Sequence, residues 1–336
     1  MTDRQLTPIE ALIVEALDLE TDFFLGKRID EYQVVRRDPY FVVQRREIAQ
    51  GADWRDCIDG LELERNLRFG NHMAALANAY ALAKSLGFSL VVIPENPLLR
   101  HEFRVGQVRF TQSQLPINTL KGTFFYRHTF AHHYNREEAP IEILAHFEKS
   151  LQCLRGTANI SKLAYLALLK RIRKDLTIHI RSGDIFEGDN PHPGYWQPPL
   201  SFYVDTVARH EPRIVTLVFE NQSNPVIAAL IDWLREDGIR VRIRDGTLEE
   251  AIMELASARK VVGGRGSFLD PILALSKQLK SLDSFGTSRY KKLPRVVRGD
   301  ASFVEWPSAG YENLVFPWMD TESQRSSMLT WQSTDR

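Results

Sequence analysis

Residues 176–203 read L-T-I-H-I-R-S-G-D-I-F-E-G-D-N-P-H-P-G-Y-W-Q-P-P-L-S-F-Y. The stretch opens as a short strand, because Leu176, Ile178 and Ile180 alternate with Thr177 and His179 in a period of two. The strand breaks on Arg181-Ser182-Gly183-Asp184. Glycine permits a sharp turn there, and Ser and Asp side chains can bond the local backbone. A long loop rich in proline and aromatic residues follows, and Ser201 is placed to cap the next helix. In open α/β sheets, ligands bind just outside the carboxyl ends of the strands, and Arg181 stands at such an end. A planar guanidinium can hold a phosphate through two parallel hydrogen bonds. The alternative reading is an arginine in a surface salt bridge.

Downstream the pattern repeats. A helix is expected over 201–210, then a strand over 214–219 ending at Glu220. Pro225 opens a helix that runs to Glu236, proline being tolerated in a first turn, and Gly238 follows it. A strand over 239–243 ends at Asp245. Thr247 with Glu250 three residues on is a capping-box pattern ahead of a helix over 248–258. A strand over 260–262 ends in G-G-R-G-S-F, residues 263–268, and a helix is expected from Ser267 to Lys277. Residues 280–282 suggest a last strand. Four successive β-loop-α units make a Rossmann-like domain. Residues 300–336 alternate polar and aromatic character and are expected to form a tail packed on the outside.

Upstream, Leu61 and Leu63 suggest a strand, R-F-G-N-H-M spans 68–73, and an Ala- and Leu-rich helix is expected over 73–86, stopped by Gly87. Residues 88–93 read as a buried strand, which completes a β-loop-α-β unit. A turn at Gly70-Asn71 would place the helix N-terminus, with its free N–H groups, at a strand's carboxyl edge, where an anion is favoured. A glycine in such a turn also occurs without any ligand. Further expectations are a helix over 8–19, a strand over 40–43, strands over 107–111 and 122–128, and helices over 140–154 and 158–174. His128, His132 and His133 cluster, but no Asp, Glu or Cys stands at ligand spacing beside them, so no metal centre is read here.

At 336 residues the chain is long for one core and suggests two domains, over 1–174 and 175–299, with the tail over 300–336. Forty-three basic residues balance forty-three acidic ones, which gives no reason to expect nucleic-acid binding. The two cysteines, Cys57 and Cys153, make neither a disulfide framework nor a metal site. The N-terminus lacks a secretory pattern, and no apolar run approaches the ~20 residues needed to span a bilayer, so a cytoplasmic protein without a transmembrane segment is expected. No feature of the sequence sets an oligomeric state.

The turn over 263–267 brings backbone N–H groups toward a helix N-terminus, an arrangement suited to phosphate. It is not G-x-G-x-x-G, and no P-loop lysine follows, so dinucleotide binding and ATP hydrolysis both lose ground. Three motifs then occur in order. R-F-G-N-H-M-A-A-L-A-N-A-Y-A-L-A-K-S-L-G from Arg68, H-I-R-S-G-D from His179, and A-R-K-V-V-G-G-R-G-S-F-L-D-P-I-L-A-L-S from Ala258 resemble the motifs of the fucosyltransferase-like superfamily of GT-B glycosyltransferases. That superfamily includes bacterial α-1,2-fucosyltransferases, α-1,6-fucosyltransferases and protein O-fucosyltransferases. The resemblance covers about residues 60–285. It implies an α/β, GT-B-like fold of two facing Rossmann-like domains with a cleft between them.

The resemblance also implies roles. Arg181, with His179, would bind the diphosphate of a nucleotide-sugar, with GDP-fucose as the family expectation. Gly70 and Asn71 would face it from the other domain. Gly266, Ser267 and Phe268 would lie at the phosphates and sugar, and Glu220, Asp245 and Glu250 would lie toward ribose and base. His72 stands where the family has Gln, Ser182 replaces a second arginine, and Gly264 and Arg265 alter the late motif. The implied reaction transfers a sugar to a glycan acceptor with inversion and without a cofactor or metal, because Arg181 and helix N-termini can stabilise the departing diphosphate. Candidates for a general base are Glu187, Asp184 and His72. Asp184 is better read as a turn former, and Glu187, expected in a loop over the cleft, is the first choice. Tyr195 and Trp196 either stack on an acceptor sugar or pack the loop down. A noncatalytic nucleotide-sugar or glycan-binding protein on the same fold is the competing class.

Overall fold

The computed structural model describes residues 32–37, 40–45, 60–63, 67–86, 88–113, 119–122, 143, 146, 175–187, 191, 193–276, 278–286 and 301–332. The chain divides into two compact units, Met1–Glu148 and Lys149–Arg336. The helices expected over 8–19, 140–154 and 158–174, and His128, His132 and His133, lie outside the described residues.

In the first unit, β1 (Tyr32–Arg37) and β2 (Tyr40–Arg45) pair as an antiparallel hairpin. A five-stranded sheet is built from β3 (Gly60–Leu63), β4 (Leu90–Val92), β5 (Glu102–Val105), β6 (Val108–Thr111) and β7 (Thr119–Gly122). Its order is β5-β6-β4-β3-β7, and all pairings are parallel except β5 with β6. Helix α1 (Phe69–Leu86) connects β3 to β4. It ends where Gly87 predicts but begins four residues earlier than expected. His72 N–H already donates to the Arg68 carbonyl at 2.8 Å, so Gly70, Asn71 and His72 form the first turn of the helix rather than a loop before it. Ala75, Leu76, Ala79 and Ala83 are fully buried, and alanine lets the helix backbone approach its neighbours closely.

The second unit is a six-stranded, all-parallel sheet of β8 (Asp175–His179), β9 (Ile214–Val218), β10 (Arg240–Arg244), β11 (Lys260–Gly263), β12 (Ser281–Phe285) and β13 (Ser302–Trp306). The spatial order is β10-β9-β8-β11-β12-β13, so in chain order the strands lie 3-2-1-4-5-6. That is the doubly wound Rossmann arrangement, and the direction of winding reverses between β8 and β11. Every residue of β9 and β12 is buried, as in a parallel sheet covered on both sides; β9 is almost wholly apolar, whereas β12 buries Ser281, Asp283 and Ser284 as well.

The connecting helices are α3 (Leu200–His210), α4 (Pro225–Glu236), α5 (Leu248–Ser257) and α6 (Leu269–Leu275). Asn224 caps α4 by accepting from Val226 N–H, and Thr247 with Glu250 closes the expected capping box on α5. Two boundaries differ from expectation. Helix α3 starts at Leu200 with Pro199 as its N-cap and no side-chain cap, because Phe202, Tyr203 and Val207 must turn inward and Ser201 is carried into the buried face with them. Helix α6 begins two residues late, since residues 264–268 are held as a bend against β8 and the loop after it.

The largest correction concerns the C-terminal segment. It is not an external tail. Strand β13 completes the sheet beside β12, and α7 (Glu312–Val315) and α8 (Glu322–Thr330) follow. Helix α8 packs on α3 and α4. Tyr311, Val315, Trp318 and Met328 are fully buried in the core of this unit. The aromatic residues that punctuate an otherwise polar stretch are its anchors, each large enough to bury 150–250 Å².

Candidate functional site

Strand β8 delivers its carboxyl end to the place where the winding reverses, and β11 ends beside it, with His179 opposite Gly263 in register. Two turns therefore meet there: Ile180–Gly183 after β8 and Gly264–Phe268 after β11. Gly266 adopts φ +142°, and a Cβ built on it would lie 3.1 Å from Arg181 Nη1. The bare glycine backbone is what lets the guanidinium lie against the β11 turn. The Phe268 ring sits 5.0 Å from the His179 ring. Arg181, His179, Gly266 and Phe268, chosen from the sequence, thus converge at one point, and Ser267 lies between the last two in the chain.

Arg181 is held on two further sides. Its guanidinium lies 4.3 Å from the Tyr195 ring centroid, within cation–π range. Its Nη2 is 3.5 Å from Asp184 Oδ1. The side chain is 18 % exposed, so it is preorganised yet reaches solvent. Asp184 opens a one-turn helix, α2 (Asp184–Glu187). The turn-forming reading of Asp184 agrees with this position. The long loop after Arg181 is therefore ordered at its start by a helix and at its end by a 3₁₀ turn over Pro193–Tyr195.

His179 is electrically quiet. Desolvation first, and the neighbouring Arg181 charge second, lower its pKa to about 3. At neutral pH it is an uncharged imidazole beside a fixed cation, able to exchange hydrogen bonds with an anion without adding charge.

The turn itself is locked by Ser182, Asn221, Ser223 and Asn224, and of these four only Ser182 stands out in the sequence. Ser182 is buried, and its hydroxyl accepts from the N–H groups of Glu220 and Asn221 at 3.2 and 3.1 Å. Gly183, at φ +74°, donates its N–H to Asn221 Oδ1 and Ser223 Oγ at 3.1 and 2.9 Å. Asn224 caps α4 with its oxygen and donates its Nδ2 to the Arg181 carbonyl at 2.9 Å. The N-Q-S-N run after β9 is thus the template on which the Arg181 turn is moulded. Its polar, turn-forming composition is a visible signal, but nothing local says which turn it grips. Glu220 belongs to the same knot: a Cβ at Gly183 would meet its carboxylate at 2.5 Å.

Other expected residues fall elsewhere. Glu187 is not in a loop; it ends α2, and its Oε1 accepts the Asn221 side-chain amide at 2.6 Å. Asp245 is exposed at the end of β10, the edge strand, two strand spacings from β8 or roughly 10 Å away. Glu250 spends its carboxylate on the Thr247 N–H at 3.1 Å, closing the cap of α5. That is the capping function seen in the sequence. Trp196 is fully buried against Phe285 and Tyr311, so of the two readings of that side chain the packing one holds. Arg265 turns away from Arg181: it lies 4.0 Å from the Trp196 centroid and donates to the Gly286 carbonyl at 3.2 Å.

Gly70, Asn71 and His72 belong to the first unit. His72 is 1 % exposed, both ring nitrogens are buried without a hydrogen-bond partner, and burial lowers its pKa to about 4. A base must exchange its proton with an acceptor, and a sealed ring does not offer that path. Among the described residues, no group of three or more His, Cys, Asp or Glu side chains is placed to hold a metal ion, and no helix is long and apolar enough to cross a membrane.

No protein-family model matches the chain, and no curated protein matches it. Two solved structures are similar to it. POFUT1 in complex with GDP is 12% identical, with 75% of this chain and 98% of that chain covered and a TM-score of 0.38. POFUT1 in complex with GDP-fucose is also 12% identical, with 77% and 99% covered and a TM-score of 0.37.

Proposed function

We propose that the chain is a fucosyltransferase-like glycosyltransferase. In this reading it takes a sugar from a nucleotide-sugar, GDP-fucose by expectation, and passes it to a glycan hydroxyl in the making of a surface polysaccharide. The observation that carries the reading is Arg181. It is a partly exposed guanidinium at the reversal point of a 3-2-1-4-5-6 sheet, laid along the glycine backbone after β11 and oriented by Tyr195 and Asp184. Diphosphates bind at this place in doubly wound sheets, and a fixed fork of donors is matched to two of their oxygens.

The chemistry follows from that placement. The acceptor oxygen attacks the anomeric carbon from the face opposite the diphosphate. The carbon–oxygen bond to the β-phosphate breaks, and the configuration inverts. Negative charge gathers on the departing phosphate oxygens, where Arg181 neutralises it and His179, held neutral, can donate a hydrogen bond. The acceptor's proton passes to a base or to water. Charge neutralisation by Arg181 makes a divalent cation unnecessary for departure.

A second reading has its own support. Glu187 is engaged by Asn221, and His72 is sealed and uncharged. With Glu187 and His72 so placed and Asp184 turned to Arg181, a protein that binds a nucleotide-sugar without turning it over is the alternative.

The deciding experiment is a nucleotide panel read by thermal unfolding, followed by GDP release from GDP-fucose in excess EDTA. GDP is expected to raise the melting temperature by mass action, by the equivalent of about 2.7 kcal/mol at a hundred times its Kd, and release is expected to survive chelation. Stabilisation by UDP or CMP in place of GDP removes the fucose-donor reading. Stabilisation by GDP without release selects the binding protein. Release that stops with EDTA and returns with Mg²⁺ points to metal-assisted departure.

A further inference from the structure

We infer that the C-terminal segment Tyr311–Thr330 is a clamp that sets the geometry of the Arg181 turn, with Arg325 as its positioning residue; the functional half of this inference rests on Arg181 being the anion-binding group proposed above. The argument begins with α2. A helix of four residues has no intrahelical partners for its last carbonyls. Both of the relevant ones are taken by the C-terminal segment. The Trp318 indole N–H donates to the Ile185 carbonyl at 2.9 Å, and Arg325 Nη2 donates to the Phe186 carbonyl at 2.9 Å.

The same guanidinium reaches the second loop of the site. Its Nη1 donates to the Ser223 carbonyl at 3.3 Å, and Ser223 Oγ accepts the Gly183 N–H. One side chain therefore ties together the two loops that enclose Gly183. Asp320 orients it, accepting from Nε and Nη2 at 2.8 Å each in a bidentate pair. Gln324 steadies the turn before α8 by donating to the Val315 and Pro317 carbonyls and accepting from Met319 N–H. Trp318 adds an edge-on contact with Phe186, 5.3 Å between centroids, and its backbone N–H donates to the Pro193 carbonyl at 2.8 Å. Farther along the loop, the Tyr311 hydroxyl donates to the Gln197 carbonyl at 2.8 Å.

The consequence for Arg181 is mechanical. Asp184 sits at the start of α2 and Tyr195 lies two residues past Pro193, and these are the two side chains that aim the guanidinium. Releasing α2 from Arg325 frees Asp184. The Trp318 indole anchors the backbone that holds Pro193, and loosening that anchor frees Tyr195. The segment thus acts on bound anion through Arg181's neighbours and not by touching it.

The test uses the full chain with Arg325→Ala, Arg325→Lys, Trp318→Phe and, as a control, Thr330→Ala, whose hydroxyl donates to the Ser326 carbonyl on the exposed face of α8. Hydrogen exchange is read on the ligand-free proteins, and Kd is read for GDP and for inorganic pyrophosphate. Arg325→Ala should expose amides 183–187 and 221–224 to exchange while β9 and α4 stay protected. It should weaken both ligands roughly tenfold, the size of one lost charged hydrogen bond. Lysine keeps the charge near Asp320 but cannot span two carbonyls, so Arg325→Lys should lose affinity with a smaller drop in melting temperature. It also serves if the alanine variant fails to fold.

Unchanged exchange at 183–187 together with native affinity in folded Arg325→Lys and Trp318→Phe would overturn the clamp, and a lowered melting temperature with native affinity would reduce Arg325 to a stabilising contact. If the native protein binds neither ligand, the glycosyltransferase reading fails, and the exchange pattern still decides whether Arg325 sets the turn.

Discussion

Two arginines flank the glycine turn after β11, and each lies over one of two consecutive aromatic residues: Arg181 over Tyr195 and Arg265 over Trp196. The contacts are similar, at 4.3 and 4.0 Å, yet the surroundings differ. Arg181 has a distant carboxylate at 3.5 Å and keeps solvent access. Arg265 is committed inward: it donates to the Gly286 carbonyl, and desolvation lowers its pKa even though the Glu312 charge works against that. Trp196 beneath it is fully buried, while Tyr195 is only partly covered. The same pairing of cation and ring therefore leaves one arginine open to solvent, as its proposed binding role requires, and uses the other to fasten the turn to the C-terminal half of the unit.

The comparison breaks most sharply at Arg181. Arg181→Ala should lower kcat/KM on the order of a hundredfold or more, about 3 kcal/mol of transition-state stabilisation, with little change in melting temperature or circular dichroism. Arg181→Lys should remain impaired because it lacks the fork. Near-native turnover in a folded alanine variant would take Arg181 out of the mechanism.

Arg265→Leu should show the opposite pattern. Losing a desolvated cation–π contact and leaving the Gly286 carbonyl short of a donor should cost about 2 kcal/mol of stability in a denaturant titration. GDP affinity per folded molecule should change far less than in Arg181→Ala. Equal loss of affinity in the two variants would mean that the arginines are not divided in this way.

His179 sharpens the contrast by reporting charge locally. Its folded pKa of about 3 lies below the ordinary value of 6.5, so the unfolded chain takes up a proton first. Its contribution is undisturbed above pH 6.5, declines as pH falls below that value, and levels off below about 3. By NMR titration, Arg181→Ala should raise the His179 pKa, because one of its two causes is removed, while Arg265→Leu should leave it in place.

Ser182→Ala is the smallest expected effect. It removes one acceptor shared by two N–H groups and should cost about 1 kcal/mol of stability with turnover close to native. A loss of turnover comparable to that of Arg181→Ala would place Ser182 in the binding machinery.

Much of this was legible in the residues. The period-two alternation at 176–180, the continuous apolar run at 214–218, Pro225 at a helix start and Thr247 with Glu250 as a cap are local signals, and each specifies structure through forces acting within a few residues. The sequence by itself also determined that Arg181 follows a strand and that glycines follow another, because turn chemistry is written in the turn. Only the tertiary structure decided the rest. Strand order depends on crossovers whose partners lie up to about eighty residues apart in the chain, as β8 and β11 do, and no local pattern encodes which strands become neighbours. It placed Asp245 at an edge, gave Glu187 to Asn221, and turned Arg265 inward. It also drew the C-terminal segment into the core, because the carbonyl acceptors of Tyr311 and Trp318 are those of Gln197 and Ile185, more than a hundred residues earlier in the chain. A side chain's identity sets what it can bind, and the folded surroundings set what is left for it to bind.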